Sequence, residues 1–337
     1  MRKWVKRTFL GLGGGISIVL CSGFLFETMM RSRDSQQYPV PGKLVDIGGR
    51  KIQMDCRGTG SPTVILQSGL DALGSLSWAA VHNEIAKTSR VCAYSRSGIL
   101  WSDPNPNDFS SQAVAQDLHK ALVRSGESAP WVMVGHSLGG PYIMMFTSLY
   151  PSEVSGLVFV DASHPDQVER SKTLNLPSDI PSSSMVLLWN LSANTGIMRL
   201  TATNPTPEHA AANVKTIGQV FLPQTMGSLS KELLGSDQAI AAAGDFRSLG
   251  DRPLIVLTAT RELPLEQKVK ESGLTPEQIM RSRSLWKELQ ANEATWSSRS
   301  RHEWVSDSSH YIQFDRPDVV IQAVNEVVFE VRAIIQK

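Results

Sequence analysis

Apolar positions along this chain alternate between two rhythms. Short apolar runs predict strands over Lys43–Ile47, Lys51–Cys56, Thr63–Gln67, Val91–Tyr94, Trp131–Val134, Gly156–Val160, Leu254–Leu257 and Arg301–Val305. The first two read as a hairpin around Gly48-Gly49. Between the strands, apolar residues recur at helical spacing over Leu76–Lys87, Ser110–Ser125, Gly140–Tyr150, Pro276–Ser297 and Pro317–Ile335. The last of these opens with Asp315-Arg316-Pro317, a cap followed by proline in the first turn. Strands alternating with helices predict a mostly parallel sheet covered on both faces, an α/β fold class. About ninety residues, Ser163 to Gly250, carry no strand pattern. That is too long for a plain loop and predicts a helical insertion at about 163–250.

The N-terminus follows a different pattern. Nineteen residues without a charge, Thr8 to Phe26, follow four basic residues. A helix of that length spans roughly 28 Å, close to a bilayer core. Residues 1–30 therefore read as an N-terminal membrane anchor, a transmembrane helix with the basic flank in the cytoplasm. The catalytic domain is then expected outside the cytoplasm, with secretion after signal cleavage as the alternative. Residues 31–42, polar with two prolines, read as a linker, and residues 43–337 as the main domain.

Composition narrows the classes. The chain has 337 residues, 41% hydrophobic and 19% charged, which excludes a disordered chain. The net charge is +1, but residues 1–40 hold six basic and two acidic residues. The remainder is left with 27 basic and 30 acidic residues, so no electrostatic footprint for nucleic acid is expected. Three cysteines without a C-x-x-C offer neither a disulfide framework nor a zinc ribbon. Cys56 and Cys92 fall in two strands that could be neighbours. Adjacent strands rarely offer good disulfide geometry, so both read as buried thiols, pairing only if the domain is exported.

The chemistry centres on Gly135-His136-Ser137-Leu138-Gly139, a G-x-S-x-G placed between an apolar strand and an apolar helix. A serine on such a turn is pushed out of the sheet edge. Small residues two before and two after it let the backbone pass close to its neighbours. The helix N-terminus behind it favours developing negative charge.

With this motif the chain resembles the α/β-hydrolase fold family over about residues 43–337. Gln67-Ser68-Gly69-Leu70 stands where that family has a His-Gly loop. Tyr94-Ser95-Arg96-Ser97-Gly98 with Trp101-Ser102-Asp103-Pro104 resembles its Tyr-Asp-Arg-x-Gly segment. Ser308-Ser309-His310-Tyr311 resembles its late histidine loop. Ser68 and Ser95 depart from the usual histidine and aspartate. The resemblance implies a helical lid over the 163–250 insertion, and His310 as the base for Ser137. It leaves two candidates for the acid: Asp161, at the end of the strand Gly156–Val160, and Glu262, after the strand Leu254–Leu257. Asp161 is preferred. By position, the oxyanion hole falls to the backbone N–H groups of Leu70 and Leu138.

Of the other histidines, His82, His119 and His209 read as surface or packing residues. His136 is expected to point elsewhere, and His164 could line the site. The apolar cluster Met185-Val186-Leu187-Leu188-Trp189 with Leu191 reads as the lid's own core or as a pocket wall, and Trp286 and Leu289 as core-facing. The expectation is a serine hydrolase of carboxylic esters, a carboxylesterase acting on a small-molecule ester with no metal or organic cofactor. Amidase, lactonase or C–C hydrolase chemistry on the same triad, or a non-catalytic binding scaffold, are the alternatives.

Overall fold

In the computed structural model, residues 2–105, 109–177 and 180–336 are described; side chains in the first helix are described at 15 and from 17 onward. One eight-stranded sheet organises the chain. Its strands are β1 (Lys43–Asp46), β2 (Lys51–Arg57), β3 (Thr63–Gln67), β4 (Val91–Ser95), β5 (Trp131–His136), β6 (Val154–Val160), β7 (Leu254–Ala259) and β8 (Ser300–Val305). Their spatial order is β1-β2-β4-β3-β5-β6-β7-β8. The pairs β1–β2 and β2–β4 are antiparallel and every other pair is parallel. Each strand predicted from the apolar pattern is present.

The central strands are buried on both faces, so they read as continuous apolar runs, yet their side chains still alternate. Val64, Leu66, Val132 and Val134 pack on one face with Val320, Val324 and Val328 of the C-terminal helix. Ile65, Trp131 and Met133 pack on the other with Leu118, Leu122, Ile143 and Phe146. These partners come from α12 (Pro317–Ile335), α3 (Ser111–Ser125) and α4 (Gly139–Leu149). The helix expected over Leu76–Lys87 is instead a 3-10 turn, Gly74–Trp78, followed by the short α2 (His82–Ile85). The tighter turn buries Trp78 and Val81 completely, which outweighs helical regularity.

Between β6 and β7 lie α5 (Gln167–Thr173), α6 (Ser183–Asn194), α7 (Ile197–Thr201) and the long α8 (Ala212–Ala242). They form a helical cap above the C-terminal ends of the strands, with its own small core of Ala193, Met198 and Leu222 against Ala72. After β7 come α9 (Leu265–Ser272) and α10 (Pro276–Glu293), and α11 (Ile312–Asp315) precedes α12. Thr275 and Gln278 close a reciprocal capping box at the start of α10.

The N-terminal reading changes most. Among the described residues no helix is long and apolar enough to cross a membrane. The apolar stretch Thr8–Phe26 lies in part outside the described side chains, so the anticipated anchor gains no support. Nor does residue 31 begin a linker: α1 runs Arg2–Gln37. Its second half packs on the cap through Glu27, 1% exposed, which accepts hydrogen bonds from Arg31 (2.9 Å) and Arg199 (2.9 Å). Arg199 also pairs with Asp34 at 2.8 Å. Gly23 is needed there, because a Cβ would stand 2.5 Å from the Thr195 carbonyl oxygen. Cys56 and Cys92 also differ from expectation. They face each other across the antiparallel β2–β4 ladder, and this direct opposition lets them form a disulfide.

Candidate active site

β5 ends at His136, and α4 begins at Gly139, leaving Ser137 and Leu138 as the whole turn. Ser137 has a φ of 52°, a left-handed conformation that costs a non-glycine residue energy. Its backbone is held there from three sides. Its N–H donates to Val160 O (3.3 Å), and its carbonyl accepts from the N–H groups of Gly140 and Ser163 (2.9 Å each). The small flanking residues have the role expected of them. A Cβ on Gly135 would stand 2.7 Å from Gly139 O, and one on Gly139 would stand 2.5 Å from Gln67 O.

Asp161 follows β6 immediately and also has a left-handed φ, 44°. Its side chain is 5% exposed and makes three contacts. Oδ2 lies 2.6 Å from His310 Nδ1. Oδ1 accepts from the Ala259 N–H (3.0 Å) and from Trp286 Nε1 (3.1 Å). A carboxylate can only accept, so Nδ1 of His310 carries the proton and Nε2 is left as the basic nitrogen. Glu262 is elsewhere: it pairs with Lys287 (2.9 Å) and Arg283 (3.2 Å), and the Lys287 ammonium holds its carboxyl below the usual range.

His136 does not point away from the site. It is buried, and Nε2 donates to the His310 carbonyl at 2.8 Å. Burial, reinforced by the nearby His310, pushes its pKa well down, so it serves as a neutral donor that fixes the histidine loop. His164, considered for the site wall, is instead a buried packing residue. It is hydrogen-bonded to Asn292 Oδ1 (3.0 Å) and accepts from the Asp166 N–H (3.0 Å). His82 packs beside Asp55, His119 stacks on Tyr150, and His209 pairs with Asp315.

The loop after β3 comes close to the serine. A Cβ on Gly69 would stand 2.8 Å from Ser137 Cβ, so only glycine admits this approach. The N–H groups of Leu70 and Leu138 have no hydrogen-bond partner among the described residues. The loop is pinned by Arg96, whose guanidinium donates to Ser68 O (2.7 Å), Ser68 Oγ (2.8 Å) and Gly69 O (2.8 Å). The same guanidinium pairs bidentately with Glu232 of α8 at 2.8 Å, both side chains being no more than 2% exposed. One ion pair therefore ties the cap helix to the loop beside Ser137. The two departures from the family pattern fit this arrangement: Ser68 accepts from Arg96, and Ser95 donates to Gln53 (2.7 Å).

Two cavities meet at Leu70. One of about 330 Å³ is lined by Ser137, Leu138, Ser163, Val168 and Ile240. The other, about 700 Å³, lies under the cap, between Leu222, Met226 and Leu229 of α8 and the neighbours of His310, Ser309 and Tyr311. Both fall in the size range of small-molecule sites.

Sequence and fold comparisons agree with this architecture. Residues 62–183 match the model of the alpha/beta hydrolase fold. The chain has the α/β-hydrolase fold. The uncharacterized protein YbdG of Bacillus subtilis (strain 168) is 24% identical over 166 residues, 49% of this chain and 51% of the relative. The chain thus spans about half the length of that curated relative. A thermophilic esterase from Thermogutta terrifontis has the same fold with a TM-score of 0.60 and 18% identity, covering 86% of this chain and 98% of the esterase. Est816, described as an N-acyl homoserine lactone degrading enzyme, aligns with a TM-score of 0.56 and 16% identity, over 84% of this chain and 99% of its own.

Three contributors lay outside the sequence reading. Trp286 was placed in the core, yet its indole N–H holds Asp161. Glu232 had no motif at all. Arg96 stood in a quoted segment without a role. Only for Arg96 was there a signal, a lone basic residue between an apolar strand and a glycine turn.

Proposed function

We propose that the chain is a serine hydrolase acting on carboxylic esters, with Ser137 as nucleophile, His310 as base and Asp161 as the acid that orients it. The observation that carries this reading is the 2.6 Å contact between His310 Nδ1 and a buried Asp161, beside a serine held in a left-handed turn. His310 Nε2 takes the Ser137 proton as Oγ attacks the ester carbonyl carbon. The tetrahedral oxyanion is held by the Leu70 and Leu138 N–H groups, each such donor contributing about 3 kcal/mol in the transition state. The C–O bond breaks, and His310 returns its proton to the leaving alcohol. Water, deprotonated by His310, then attacks the acyl-enzyme, releasing the acid and restoring Ser137. Acyl transfer on this fold is in keeping with two structural relatives, one an esterase and one described as degrading lactones.

A location outside the cytoplasm is part of the proposal and rests on the Cys56–Cys92 disulfide, a bond that persists in oxidising compartments. The test of the activity is hydrolysis of p-nitrophenyl esters of increasing acyl length by the full chain. Turnover that disappears in Ser137→Ala supports the reading. Equal turnover in both proteins refutes it.

A further inference from the structure

The larger cavity carries two buried polar groups that the reaction described above does not use. Asn204, 6% exposed, lies in the segment between α7 and α8, and its Nδ2 has no hydrogen-bond partner among the described residues. Its backbone is fixed: the Asn204 N–H donates to Gln219 Oε1 (2.7 Å), and Gln219 Nε2 donates to Ala202 O (2.8 Å). Gly218 makes room for the amide, since a Cβ there would stand 2.8 Å from Asn204 Nδ2. Ser230, 1% exposed on α8, likewise has an Oγ without a partner among the described residues. Both residues line the cavity. A buried amide donor without a partner costs free energy of order 1–3 kcal/mol, so two in one cavity call for a ligand that satisfies them.

Their placement sets the shape of that ligand. Gly218, beside Asn204, and Ser230 are twelve residues apart on one helix, roughly 18 Å along its axis. Leu222, Met226 and Leu229 lie between them on the same face and supply an apolar wall. Ser230 is three residues before Leu233, which borders both cavities, so the serine sits toward the neck and Asn204 toward the far end. The cavity also touches Ser309 and Tyr311, the neighbours of His310. In acyl transfer the histidine must reach the leaving oxygen, so the space continuing from it receives the alcohol side of the ester.

We propose that the larger cavity binds the alcohol portion of the substrate, an elongated and mainly apolar group bearing an oxygen acceptor that Asn204 Nδ2 takes, with Ser230 Oγ as a second polar contact nearer the neck. This rests on the serine-hydrolase reading of the same site. The smaller cavity then receives a modest acyl group.

The experiment compares dodecyl acetate with acetates of twelve-carbon hydroxy-ketones whose carbonyl is stepped along the chain, using the full protein and Asn204→Leu. At one carbonyl position kcat/KM is expected to exceed that of dodecyl acetate by about fivefold or more. Asn204→Leu removes that preference, read as the ratio of the two kcat/KM values within each protein. Should Asn204→Leu fail to fold, Asn204→Ala, which removes the donor without adding charge or bulk, gives the same comparison. No preferred position, or a preference that survives in the variants, overturns the proposal. If no acetate is hydrolysed, the esterase reading fails separately. The free hydroxy-ketones are then compared with dodecanol for the rise in Tm they produce. A rise confined to one hydroxy-ketone and lost in the variant upholds the cavity assignment, and no difference overturns it.

Discussion

The sheet edge and the cap solve different problems. At the sheet edge, Ser137, Asp161 and the loop before His310 follow directly from β5, β6 and β8, and two of them are held in left-handed backbone by strand and turn hydrogen bonds. The cap contributes no reacting group. It encloses space with the apolar face of α8, lines the cavity at Ser137 with Val168 and Ile240, and holds through Glu232 the Arg96 that grips the loop beside Ser137. Rigid, strained geometry belongs to the body, and ligand shape belongs to the cap. That division explains how one fold can serve many substrates.

The sharpest way to break this comparison is to remove the orienting carboxylate. Asp161→Asn is expected to lower kcat by about 10⁴-fold, while Glu262→Gln leaves it within about twofold. If kcat responds to Glu262 instead, the body is not organised as described.

Next in size is the link between the two regions. Arg96→Met leaves Glu232 charged and buried without its partner, and chemical denaturation should show a loss of about 3–5 kcal/mol. The double variant Arg96→Met/Glu232→Leu should recover most of that stability. It should not recover kcat, because the carbonyls of Ser68 and Gly69 remain unheld. Recovery of both would reduce the pair to a structural role.

Trp286→Phe removes one donor to Asp161 and keeps the ring. A loss of about 1 kcal/mol of transition-state stabilisation, a fivefold drop in kcat, is expected with KM little changed.

The smallest effect concerns Glu293, which is fully buried with both carboxyl oxygens unpartnered among the described residues. Burial, with the Asp161 charge adding to it, raises its pKa well above the usual glutamate value. The folded protein therefore keeps a proton that the unfolded chain releases. Stability is fully present below the unfolded pKa, near 4.5, and declines as pH rises toward the folded one. Glu293→Gln should gain Tm over the parent as pH is raised from about 5 to 8, read by thermal denaturation. A constant difference across that range would contradict the assignment.

Much of the body was legible beforehand, because its constraints are local. Short apolar runs mark each strand, and the glycines around Ser137 mark a turn whose neighbours lie within van der Waals contact. His310 and Asp161 could be named because each follows a strand at a position where the resembled family carries its base or its acid. Trp286 and Glu232 were not legible, since each acts on a residue more than a hundred positions away. At the N-terminus an uncharged stretch looks the same in sequence whether it meets lipid or protein. Glu27, buried against Arg199, shows that its end meets the cap. The Cys56–Cys92 pair ranked below two buried thiols because strand register, which places the two residues opposite each other, is not written in composition.

The central claim is that Ser137 is activated by the folded arrangement around it. Labelling with a fluorophosphonate, followed by peptide mass analysis, tests this most directly. The account predicts a single adduct on the Ser137 peptide of the folded full chain, lost on heat denaturation and in His310→Ala. Folded protein that takes up no label at Ser137, or labels equally well without His310, would contradict it.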